Sequence, residues 1–136
     1  LIPEQMYIEK ILPLSKKILN EARNNGLPTI FFPKGLGNGL SYITKDVCDF
    51  LSVDWQMNLK HARKIISRDI GIQGNIDPRI LYSSYNDIEV YLSTLKSFGE
   101  KNNNWIINLG HGFLPDIDYK KAKFVVEWIK ETNWKR

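Results

Sequence analysis

One cysteine, two histidines and no long apolar run are the first constraints this 136-residue chain imposes. Cys48 alone can close no internal disulfide and build no multi-cysteine metal centre. That usage suits a reducing compartment, so a cytoplasmic setting is expected. His61 and His111 stand far apart in the chain and offer little support for a metal, so none is expected. No apolar stretch approaches the roughly 18 residues of a transmembrane helix, and no membrane partner is expected. The opening Leu1-Ile2-Pro3-Glu4-Gln5 has neither the basic start nor the apolar core of a signal peptide. It also lacks an initiator methionine, from which a piece of a longer protein is expected.

What is present builds a core. The apolar fraction is 43% and the charged fraction 25%, a balance that folds and excludes a disordered chain. The formal charge of +4 invites a nucleic-acid reading, but the lysines are scattered over several segments and form no arginine-rich block. No nucleic-acid partner is expected.

Periodicity predicts a helix within residues 3–25, with Ile11, Leu14, Ile18 and Ala22 on one face, a regular start at Pro13 and Gly26 as the closing cap. Pro28–Pro33 reads as the first strand, followed by the glycine-rich loop Lys34–Gly39. That loop matches neither common phosphate fingerprint and reads as a plain connection. Ser41 is expected to cap a short helix over 42–48. Phe50–Trp55 is the second strand, and Leu59–Ile66 an amphipathic helix that leaves His61 exposed and inert. Ile70–Ile76 is the third strand. Asp77-Pro78 opens a helical turn, and a longer helix runs from Asn86 or Asp87 to Phe98. Trp105, Ile106, Ile107 and Leu109 form the apolar run of a fourth strand covered on both faces. The last helix, Asp118 to Thr132, is expected to bury Ala122, Val125, Val126 and Ile129, capped by Asp116 or Asp118.

The order is therefore a helix followed by four strand–helix units. The fold class is α/β, either half of an eight-stranded barrel or a small open doubly wound sheet. No serine lies in a nucleophile elbow. Asp54, Asp77 and Asp116 could supply a carboxylate pair, but Asp77 and Asp116 read better as helix caps, and Asp54 as a partner of neighbouring backbone or an arginine. A polar set at the strand ends remains: Asp54, Gln73, Asn75, Asn108 and His111. Parallel neighbours would bring these to one mouth. His111, flanked by Gly110 and Gly112 at the end of the last strand, is the leading candidate.

That set also carries a resemblance. Ser52-Val53-Asp54-Trp55, Gln73-Gly74-Asn75-Ile76-Asp77-Pro78 and Asn108-Leu109-Gly110-His111-Gly112 with Pro115 resemble, in this order, the strand ends of the uroporphyrinogen decarboxylase family. Leu12-Pro13 resembles the opening of a family helix, with Leu14 where the family has tyrosine. The resemblance runs over essentially the whole chain. It implies that residues 1–136 are a single partial domain, four consecutive βα units forming the C-terminal half of a (β/α)8 TIM barrel. It also implies a lyase of porphyrin and heme biosynthesis, usually a homodimer, that needs no cofactor. The implied reaction removes carbon dioxide from the four acetate side chains of uroporphyrinogen III to give coproporphyrinogen III. His111 matches the family's active-site histidine, which makes it the catalytic and substrate-binding residue by resemblance. The family's arginine motif, the aspartate facing the pyrrole nitrogens, and the pocket tyrosine and serine have no counterpart here, and Arg63, Arg68 and Arg79 match no substrate-binding motif. The chain alone is thus expected to be inactive. The alternatives are a non-catalytic remnant or assembly module and, further off, a corrinoid-type methyltransferase.

Overall fold

The computed structural model describes residues 2–134, so the expected domain bounds of 1–136 exceed it at residues 1, 135 and 136. Four parallel strands, β1 (Ile30–Phe31), β2 (Phe50–Ser52), β3 (Gly71–Gln73) and β4 (Trp105–Ile106), lie side by side in sequence order. The helices are α1 (Leu12–Asn24), α2 (Leu59–Ile65), α3 (Tyr85–Thr94), the short α4 (Lys96–Gly99) and α5 (Tyr119–Glu131). Parallel strands in sequence order need a crossover between each pair, and the helices and turns supply it.

The pleat sorts the strand residues into two faces. Phe31, Leu51, Ile72 and Trp105 are register partners in one row, and this row packs against the helices. Leu51 and Ile72 are wholly buried there, each contributing about 1.5–3 kcal/mol. The other face carries Ile30, Phe32 and Ile106, all exposed among the described residues. The expectation of a β4 covered on both faces is thus corrected. Ile106 is 39% exposed and Trp105 and Ile107 are only half-buried, because the helices pack on one side of the sheet. A second core gathers Ile76, Leu81, Ile88, Leu92, Ile117 and Val125 between α3 and α5.

Several local expectations hold. Gly26 closes α1 at φ +76°, its N–H bonding the Arg23 carbonyl while that of Leu27 reaches Ala22. This pairing defines a Schellman cap. Asp77 caps the 3-10 turn Pro78–Tyr82 and Asp118 caps α5, each accepting from a backbone N–H two residues on. Four others change. The first helix begins before Pro13, through Glu4–Met6 and a wide π-type turn at Tyr7–Ile11. Within α1, Leu12 is buried in the main core and Leu19 packs half-buried against it, while Leu14 and Ile18 face out. Ser41 does not cap a helix over 42–48. The helical turn lies earlier, at Gly37–Tyr42, and the Ser41 hydroxyl donates to the Asn38 carbonyl. The long helix starts at Tyr85 with Ser84 as its cap and is interrupted at Leu95. On α5, Val126 is 48% exposed, whereas Val125 is buried.

Candidate functional site

Because the strands are parallel, their carboxyl ends share one edge of the sheet, and the loops after them meet there. The His111 turn is bound to this edge by backbone. Ile76 N–H donates to the Asn108 carbonyl (2.9 Å) and Gly110 N–H to that of Ile76 (2.8 Å), extending the β3–β4 pairing past the strands. Gly110 is pressed on the preceding loop: a Cβ there would lie 2.3 Å from the Trp55 nitrogen. Glycine is required at 110 for this approach.

His111 is exposed and lines a pocket of about 210 Å³ with Lys34, Trp55, Arg79, Tyr82 and Leu114 among its neighbours. Donor counting assigns its tautomer. Nδ1 lies 3.1 Å from the Gly112 carbonyl, which only accepts, and Nε2 lies 3.0 Å from the Lys34 ammonium, which only donates. In the neutral imidazole these partners favour the tautomer with the proton on Nδ1 and the Nε2 lone pair toward Lys34. Arg79 stacks 4.1 Å over the Trp55 ring and is clamped by Asp77, whose two carboxylate oxygens take its Nε and Nη2 at 2.6–3.0 Å. That guanidinium, by its hydrogen bonds first, holds the Asp77 carboxyl below the usual carboxylate range. Tyr82 donates to Asp116 (2.8 Å), which raises the tyrosine hydroxyl above its ordinary value. Asp116 is thus a tyrosine partner rather than a cap.

The other expected strand-end residues do not converge on this pocket. The Asp54 carboxylate accepts from Gly35 N–H (2.9 Å) and Gln56 N–H (3.0 Å), tying the glycine loop to β2. One amide of the glycine loop is thereby taken by a carboxylate. Asn75 is buried, its amide donating to the carbonyls of Asp54 (2.9 Å) and Met57 (2.5 Å). Gln73 is a half-buried β3 residue whose carbonyl accepts from Val53 N–H. Asn108 turns to an apolar hollow against α5. His61 is exposed as expected, yet within 3.0 Å of the Asn38 side chain. Sequence reasoning set Arg79 aside and gave Lys34 no role, yet both line the His111 pocket. Their one signal is position, each lying just past a strand end in its unit.

Among the described residues no three His, Cys, Asp or Glu side chains gather as a metal-binding group. Cys48 precedes β2, at the end of the sheet opposite His111. It is fully buried, and burial pushes its thiol up to about 11, away from the thiolate a zinc ligand must be. The pairing of His and Cys on zinc that the methyltransferase alternative needs is not assembled by these two residues.

The family model described as "Uroporphyrinogen decarboxylase (URO-D)" matches residues 1–132. The chain belongs to this family. Proteins named uroporphyrinogen decarboxylase are similar to it: that of Trichlorobacter lovleyi is 34% identical over 93% of this chain, and that of Geobacter metallireducens 33% over 95%. That of Francisella tularensis subsp. novicida is 37% identical over 93%. The chain spans 36–38% of the length of these three relatives. Among the described residues no helix is long and apolar enough to cross a membrane.

Proposed function

We propose that this chain supplies the C-terminal four βα units of a (β/α)8 TIM barrel, a single partial domain whose complete protein decarboxylates uroporphyrinogen III to coproporphyrinogen III. The reading includes a cytoplasmic homodimer that needs no cofactor. The observation that carries it is family membership over residues 1–132, together with the family's strand-end motifs gathered on one edge of the sheet.

The chemistry suits the groups present. Protonation of a pyrrole carbon makes the ring the electron sink. Carbon dioxide then leaves the acetate arm, a proton adds to the resulting methylene carbon, and loss of the ring-carbon proton restores the pyrrole. A site for this reaction must hold many carboxylates and shelter an apolar ring. The His111 pocket combines the cations Lys34 and Arg79 with walls from Trp55, Pro78, Leu114 and Ile117. His111 presents Nε2 as an acceptor, and the Lys34 ammonium holds it oriented. In this reading His111 touches the substrate and handles a proton at Nε2, while the residues that face the pyrrole nitrogens lie in the rest of the barrel.

The test measures uroporphyrinogen III consumption by the complete protein and by its His111→Ala variant. The expected result is a fall in rate of roughly 100-fold, the scale of one general acid–base group, with an unchanged circular dichroism spectrum. Full activity in the variant removes His111 from the site. Inactivity of the wild-type complete protein refutes the decarboxylase assignment.

A further inference from the structure

At the amino-terminal ends of the strands, away from His111, a groove of about 330 Å³ runs between α2 and α4. Its lining is one-signed. Lys60, Arg63 and Lys64 come from α2, Arg68 from the turn before β3, and Lys101 from the turn before β4, with no carboxylate among them. Phe98 forms an apolar wall. Some cations outside the groove are paired, as in Lys45–Asp49, Arg79–Asp77 and Lys123–Glu127. Among the described residues none of these five cations makes an ion pair within 4.0 Å.

Arg63 sets the groove apart from a solvated lysine face. It is 5% exposed, and its Nη atoms donate to the carbonyls of Ile66 (2.9 Å), Ile70 (2.9 Å) and Ser67. Its buried Nε has no acceptor among the described residues. Burial first, then the neighbouring Arg68 charge, lowers its pKa. A positive charge at a helix carboxyl end is favourable, but Arg63 already takes the carbonyls that close α2. The four other cations are exposed and meet over the hollow. Five like charges around one hollow repel one another, offset in part by the Asp69 carboxylate near Arg63, and an anion entering the hollow relieves that repulsion.

We propose that this groove binds a compact polyanion carrying two or more phosphate or carboxylate groups. The hollow between two helices is short, which suits a small molecule rather than a nucleic-acid backbone. The site is independent of the decarboxylase reading, since it stands on the opposite end of the sheet from the pocket of His111.

Isothermal titration of the complete protein with pyrophosphate and, separately, with citrate at low ionic strength tests this proposal. Binding tighter than about 1 mM is expected for at least one probe, weakening as sodium chloride is raised. The double variant Lys64→Gln/Lys101→Gln should weaken it roughly tenfold or more. The control Lys10→Gln/Lys130→Gln, with the same net charge but lysines outside the groove, should not. Preference for pyrophosphate assigns a phosphate ligand, preference for citrate a polycarboxylate, and equal binding the shared polyanion chemistry. Binding of neither probe, equal loss in both double variants, or binding of single-stranded RNA alone would overturn the proposal. Both double variants change exposed lysines only, so matching urea midpoints exclude misfolding as the cause.

Discussion

Gly110 and Gly112 flank the same histidine, and alanine should separate them sharply. Neither has a positive φ, so each backbone accepts alanine. The difference is space. A Cβ at 112 meets nothing within 4 Å, while one at 110 falls 2.3 Å from Trp55 N, 2.7 Å from Trp55 Cα and 2.9 Å from Asp54 C. Ordinary contact begins near 3.4 Å, so about 1 Å of backbone must move. That backbone is held by the Asn75 amide on the Asp54 carbonyl and by the Asp54 carboxylate on Gly35 and Gln56. Overpacking costs about 1–3 kcal/mol, and a backbone obstacle places this case at the upper end. Loss of unfolded-state entropy returns about 0.4–1 kcal/mol at either position. Gly110→Ala should therefore lose about 2 kcal/mol and Gly112→Ala gain about half of one. Urea denaturation of the two variants beside wild type, compared at equal m-values, measures the gap. In the decarboxylase assay, displacing His111 by about 1 Å should cost Gly110→Ala up to about 100-fold. Variants that agree within about 0.5 kcal/mol would refute the close contact and the fixed placement of His111 that rests on it.

Three further outcomes follow from the packing. Arg63→Met keeps the stem but strands the carbonyls of Ile66 and Ile70, so it should lower the urea midpoint by an amount equivalent to about 1–3 kcal/mol; no change would show those bonds to be dispensable. Asp49, held chiefly by the Thr29 backbone N–H, has its carboxyl below the usual range. A depressed folded-state value gives stability that is present above the ordinary carboxylate range and lost as pH falls through the folded value. Below about pH 4 wild type should thus lose more stability than Asp49→Asn, and parallel pH–stability curves would contradict this. Cys48, buried with its thiol pushed up to about 11, should react with a disulfide reagent at pH 8 only after denaturation. Fast labelling of the native protein would show the site to be open.

The cap residues were legible because caps are local. Gly26 must turn left-handed to end α1, and Asp77 and Asp118 reach N–H groups two residues away, so a few neighbouring letters suffice. The face of α1 was not. The stripes Leu14–Ile18 and Leu12–Leu19 both fit helical spacing, and packing against the main core, a tertiary contact, selects the second. Ser41 was misread for a related reason. Its hydroxyl can accept at a helix start or donate to a carbonyl three residues back, and here the turn forms first, at Gly37.

The α/β class, the order of the four parallel strands, the helices after the last three and the glycine-flanked His111 were legible in the chain, since each rests on periodicity or on adjacent letters; the helix expected after the first strand is a 3-10 turn. The company His111 keeps comes from contacts made across the sheet. Lys34 stands 77 residues away, and Arg79 reaches the same pocket through its stack on Trp55. Parallel pairing gathers these loops at one edge of the sheet, whereas Asn75, which sequence grouped with them, turns inward to satisfy two backbone carbonyls. A strand end specifies where a side chain starts; the hydrogen bonds offered by its neighbours across the sheet decide where it points.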